Sequence, residues 1–106
     1  MNKTVESLST ELRSGLESLY GERLQGVYLY GSYARGEAES ESDLDVLIVL
    51  DQLDSYGAEI DRTSELVSGV SLEYGISVSR VFVSERDWQE GEGLFLAHVR
   101  EESIPA

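Results

Sequence analysis

Apolar residues recur at two different periods along this chain. Between residues 4 and 20, Val5, Leu8, Leu12, Leu16 and Leu19 return every three or four positions, which predicts a helix with one apolar stripe. Thr4 is placed to cap its start, Glu6 suits its first turn, and Gly21 suits its stop. The stripe reads as core packing. Residues 27–30, Val-Tyr-Leu-Tyr, are β-prone and run directly into Gly31. Residues 46–50, Val-Leu-Ile-Val-Leu, are apolar without alternation, the pattern of a strand buried on both faces. Residues 53–74 predict the longest helix. Leu53, Tyr56, Ile60, Val67, Val70 and Tyr74 share a face, and Thr63 fills the gap between them. Asp54 or Ser55 can cap its start and Gly75 ends it. Such a helix would cross one sheet face and return the chain as a neighbouring strand over residues 76–83. Ser84-Glu85-Arg86-Asp87 has the form of a capping box opening a short helix, with Trp88 packing behind it. Gly91 and Gly93 break the chain, and residues 94–102 predict a last helix bearing Leu94, Ala97 and Val99. Ser103 to Ala106 reads as a tail, because Pro105 cannot continue a helix. The sum is an α/β (α+β) domain over residues 1–106: a small mixed sheet with helices packed mainly on one face.

Composition narrows the functions. The net charge is -13, with 8 basic residues against 21 acidic ones. General nucleic-acid binding rests on neutralising phosphates with Lys and Arg, so this balance argues against it. The acidity itself reads as solubility. There is no cysteine, hence no disulfide and no thiolate metal site. No apolar run reaches membrane-spanning length and no signal-peptide pattern is present, so a cytoplasmic protein with no membrane role is expected.

The stretch that carries chemistry is Tyr30-Gly31-Ser32-Tyr33-Ala34-Arg35-Gly36, followed by Ser42-Asp43-Leu44-Asp45. Gly31 lets a bulky anion approach the backbone. A helix starting at Ser32 would turn its first amides toward negative charge, and the Ser32 hydroxyl adds a donor. Arg35 is a candidate for reaching a phosphate. Asp43 and Asp45 are two apart, which on a strand puts both carboxylates on one face. Paired hard oxygens suit Mg2+ or Mn2+, which completes its shell with water and phosphate oxygens. Carboxylates at the mouth of a buried strand are costly unless metal or donors satisfy them. Glu37, Glu39 and Glu41 read as a solvated acidic loop, and His98, the lone histidine, has no catalytic role in this reading.

Gly31, Ser32, Ala34, Gly36, Ser42, Asp43 and Asp45 fall in the order and at the gaps of a known pattern. By them the chain resembles the minimal nucleotidyltransferases, a branch of the DNA polymerase β-like nucleotidyltransferase superfamily. The resemblance is strong over residues 30–50 and covers most of the chain in layout. It implies a polymerase β palm-like core with the site where Gly31 and Asp43 meet. It implies catalytic, metal-holding roles for Asp43 and Asp45, with Gly31, Ser32 and Arg35 on the triphosphate. It also implies Mg2+-dependent transfer of a nucleoside monophosphate, AMP from ATP, to an acceptor hydroxyl. Active members carry a third carboxylate on the following strand; here that position is Ser79, or Ser77 on the same face, with Glu73 a conceivable substitute. The alternative is therefore a nucleotide-binding or regulatory module without turnover. Family members of this size are often the antitoxin of a toxin–antitoxin pair whose partner is a HEPN-domain protein. A small-molecule acceptor and a homo-oligomer are the remaining options.

Overall fold

A computed structural model describes residues 3–106. The elements run α1 (Lys3–Tyr20), a 3-10 turn (Gly21–Arg23), β1 (Leu24–Tyr30), α2 (Ser32–Arg35), β2 (Leu44–Leu50), α3 (Tyr56–Tyr74), β3 (Val78–Ser84), α4 (Glu85–Glu90), α5 (Leu94–Glu102) and β4 (Ile104–Pro105). The four strands form one sheet in the order β3-β2-β1-β4. β1 runs antiparallel to β2 and β4, whereas β2 and β3, joined through α3, run parallel. The sheet is thus mixed, as the run of strand and helix periods predicts.

Alternation along the strands gives the sheet two different faces. Val27 and Leu29 of β1, Leu44, Val46, Ile48 and Leu50 of β2, and Phe82 of β3 pack with the α1 stripe and with Val67 and Val70 of α3. The α1 stripe consists of Val5, Leu8, Leu12, Leu16 and Tyr20. Leu19, read as part of it, is 44% exposed, and Tyr20 takes its place. On the opposite face Leu47, Val49 and Val83 pack with Val99 of α5, with Trp88 of α4 and Tyr28 of β1 beside them. β2 is therefore covered on both sides, which explains its unbroken apolar run. The two long helices hold one face, and the short α4 and α5 cover part of the other.

Local chemistry sets most of the boundaries. Ser55 caps α3, its Oγ accepting from the Ala58 N–H, and Gly75 closes it in the left-handed region. Ser84 caps α4 by accepting from the Asp87 N–H. Three expectations need correction. Thr4 lies inside α1 rather than at its cap, because the helix already includes Lys3. Leu53 precedes α3, since Ser55 is the residue with extended backbone that caps it. Residues 103–106 are not a free tail. Ile104 and Pro105 pair with Leu29 and Tyr28, and the Ala106 N–H donates to the Val27 carbonyl at 3.0 Å. Pro105 fits there because β4 is an edge strand, where a missing N–H is tolerated.

Candidate functional site

The site lies where β1 ends and where β2 and β3 begin. Gly31 follows β1 with φ 75° and ψ -155°, a backbone conformation open to glycine and little else. A Cβ added there would run into the Asp45 carboxylate. The glycine is therefore required twice, by its torsions and by the acid packed against it. Antiparallel pairing sets this contact: Tyr30, the residue before Gly31, lies opposite Asp45. From Gly31 the chain turns through α2, with the Arg35 N–H donating to the Gly31 carbonyl and Gly36 taking a left-handed cap. The acidic loop after it is exposed, and Ser42 steadies it by accepting from the Glu39 N–H through Oγ at 2.8 Å.

Asp45 is half-buried and Asp43 exposed. Burial pushes the Asp45 carboxyl above its usual range; the charge of Asp43 adds to this, Arg35 opposes it, and Glu102 raises it further. Two carboxylates whose charges oppose one another are a pair that a cation would relieve. The donor set fits a hard divalent ion in kind. Among the described residues no group of three or more metal-binding side chains comes together.

Across the parallel β2–β3 pair, serine stands where the resemblance implies a further carboxylate. Ser79 is the register partner of Asp45 across the parallel β2–β3 pair, and it is exposed. Ser77 lies just before β3, its carbonyl accepting from the Leu44 N–H. Glu73 does not substitute for either. It belongs to α3, where it interacts with Glu11 of α1 on the far side of the sheet.

One participant escaped the sequence reading. Glu102, the last residue of α5, accepts from the Gly31 N–H through Oε1 at 3.0 Å and from Arg35 Nη1 through Oε2 at 3.0 Å. His98, one turn earlier, places Nε2 3.4 Å from the same Oε2. The Gly31 amide and the Arg35 guanidinium hold the Glu102 carboxyl below its ordinary range. Arg35 also donates to Glu37 at 3.0 Å. No sequence signal marks Glu102, because its partners lie 71 and 67 residues away. Burial and then the charge of Asp45 push the Tyr30 hydroxyl up to about 12, and its ring meets Phe95 edge-on at 5.8 Å.

Comparison with known proteins bears on the family and the fold. Residues 9–91 match the family model described as a nucleotidyltransferase domain. A Methanocaldococcus jannaschii protein named "putative protein adenylyltransferase" is 35% identical over 80 residues, 76% of this chain and 74% of that protein. The protein adenylyltransferase MntA of Thermococcus cleftensis is 39% identical over 71 residues, 65% of this chain and 70% of that one. Among solved structures, one described as a "putative minimal nucleotidyltransferase" superposes with a TM-score of 0.65 at 25% identity, covering 98% of this chain and 94% of that one. A complex of a tri-AMPylated Shewanella oneidensis HEPN toxin with an MNT antitoxin contains a chain of the same fold. That match has a TM-score of 0.51 at 18% identity and covers 92% of this chain and 70% of that one.

Proposed function

This chain belongs to the nucleotidyltransferase domain family, in its minimal branch, and on that premise we propose that it transfers AMP from ATP to an acceptor hydroxyl on a partner protein. The observation that carries the proposal is the packing of the Gly31 backbone against the Asp45 carboxylate, which also feels the charge of Asp43 two residues before it. A backbone cradle for phosphate and a pair of hard oxygen donors thus share one corner, the equipment nucleotidyl transfer needs.

In this reading Asp43 and Asp45 hold Mg2+ or Mn2+, which when bound neutralises charge developing on the phosphates. Gly31 and Ser32 hold the terminal phosphates through backbone and hydroxyl donors, and Arg35 supplies a guanidinium. The acceptor oxygen attacks the α-phosphorus, pyrophosphate leaves, and the acceptor's proton passes to water, because Ser79 is no base at neutral pH. A HEPN-domain protein is the partner we assign. The AMPylated HEPN toxin complex supports that choice, and the names of the adenylyltransferase relatives support a protein as acceptor. We read residues 1–106 as one such domain acting in the cytoplasm.

Ser79 opposite Asp45 favours a second reading, a nucleotide-binding module without turnover. One experiment separates the two. Purified protein, Mg2+ and α-labelled ATP are incubated with and without a co-purified HEPN-domain partner, with Asp45→Asn as control. Label on the partner that the variant fails to deliver supports transfer. Metal-dependent ATP binding without label supports the module. Neither label nor binding overturns both.

A further inference from the structure

We infer that Glu102 is an internal latch: its carboxylate sits on the donors that would receive a triphosphate oxygen, so nucleotide enters only when the end of α5 gives way. The inference rests on the nucleotide-site reading above and adds a means of control to it. Its basis is the paired contact, one carboxylate oxygen on the Gly31 N–H and the other on the Arg35 guanidinium, each at 3.0 Å. Two oxygens spread over a backbone amide and a guanidinium are what a phosphate group would also present, and charge-assisted bonds of this kind are the strong ones.

The surroundings explain why Glu102 is held there. The side chain is only 12% exposed. Its position follows from β4, whose pairing with Leu29 and Tyr28 of β1 fixes the end of α5 beside the end of the same strand. The Ser103 N–H closes the helix onto the Val99 carbonyl at 2.8 Å, and Val99 is fully buried. His98 adds a third partner on the open side. The latch is nonetheless short. β4 contributes two residues, and beyond Val99 the end of α5 has little buried apolar surface, so its opening is a local event. Opening also frees Arg35, which otherwise spends its guanidinium on Glu102 and Glu37.

The test is binding of a non-hydrolysable ATP analogue with Mg2+ to the full chain, measured by calorimetry. A latch closed about nine-tenths of the time raises the apparent Kd about tenfold, so Glu102→Ala and Glu102→Gln should bind more tightly than wild type by up to that factor. Glu101→Ala removes the same charge one residue away from an exposed position and should bind as wild type does. A second readout uses the unaltered protein: the analogue should speed hydrogen exchange at the Ser103 and Ala106 amides. Wild type that binds while neither Glu102 variant binds more tightly, or analogue that leaves those amides unchanged or slowed, overturns the latch and leaves the nucleotide site standing. Absence of binding in wild type and in both Glu102 variants overturns the nucleotide site, and the latch with it.

Discussion

At the scale of single residues, the site is a place where stability has been given up. Burial and then the charge of Asp43 work against the ionised form of Asp45. Its carboxyl titrates higher in the folded chain than in the unfolded one. The fold therefore favours the protonated form, and the stability this gives is full below the unfolded titration and lost as pH rises through the higher folded one. Asp45→Asn should melt no lower than wild type at pH 7, with the difference vanishing in acid, while Mg2+-dependent ATP binding is lost. A thermal melt series from pH 3 to pH 8 checks the first half and calorimetry the second. Gly31→Ala should do the reverse. Its Cβ meets Asp45, and its torsions cost on the order of 1–3 kcal/mol in any other residue. For a domain of this size that lowers Tm by several degrees or more, at roughly 4–8 °C per kcal/mol. Ser79→Asp offers the converse test, placing a carboxylate in register with Asp45. If the acceptor's proton limits transfer, turnover should rise, since a general base supplies on the order of 10²–10⁴-fold. Quantifying label transferred per minute decides it.

At the scale of elements, helix periodicity was legible and the polar links between helices were not. α5 spans Leu94–Glu102 after the break at Gly91 and Gly93, as expected, although Leu94 and Ala97 are exposed and Val99 alone of the three is buried, and β2 announces itself by an unbroken apolar run. Two residues are too few to show a period, so β4 left no trace in the sequence. Glu59 was equally silent. It sits on the buried face of α3, 5% exposed, where periodicity calls for an apolar residue. The Tyr20 hydroxyl of α1 donates to it at 2.7 Å, Arg62 donates to it at 3.0 Å, and Arg23 lies 3.8 Å away. Burial would push its carboxyl up, but the bonds from Tyr20 and Arg62 and the charges of Arg62 and Arg23 outweigh that and hold it below the usual range. The stabilisation is present above the unfolded pKa and is lost as pH falls through the lower folded value. Glu59→Gln should cost about 1.5–3 kcal/mol at pH 7, the scale of a hydrogen bond to a charged group, and nothing once wild-type Glu59 is protonated. Denaturant unfolding at pH 7 and pH 3 distinguishes this link from a merely packed side chain, whose loss would cost the same at both.

At the scale of the whole molecule, 21 acidic residues face 8 basic ones, and the basic ones are largely committed. Arg80 bonds Thr63 and the Ile60 carbonyl, Arg100 bonds the Trp88 and Gly91 carbonyls, and Arg35 holds Glu37 and Glu102. The pairs Arg13–Glu17 and Arg86–Glu90 are exposed, and pairs of that kind contribute roughly 0–1 kcal/mol each. What remains is self-repulsion among carboxylates spread over the surface, including Glu39 and Glu41 in the loop beside the site. Salt acts on these two terms in opposite directions. Between about 0.01 M and 1 M the Debye length falls from roughly 30 Å to 3 Å, which screens the long-range repulsion before it touches the close, partly buried pairs. Tm should therefore climb with NaCl by several degrees, with most of the rise below about 0.2 M. The same field repels a free triphosphate, so analogue affinity at fixed Mg2+ should also strengthen on first adding salt. A Tm that falls with salt would mean that the few ion pairs outweigh the repulsion, and the acidity would then have to be a structural feature of the fold.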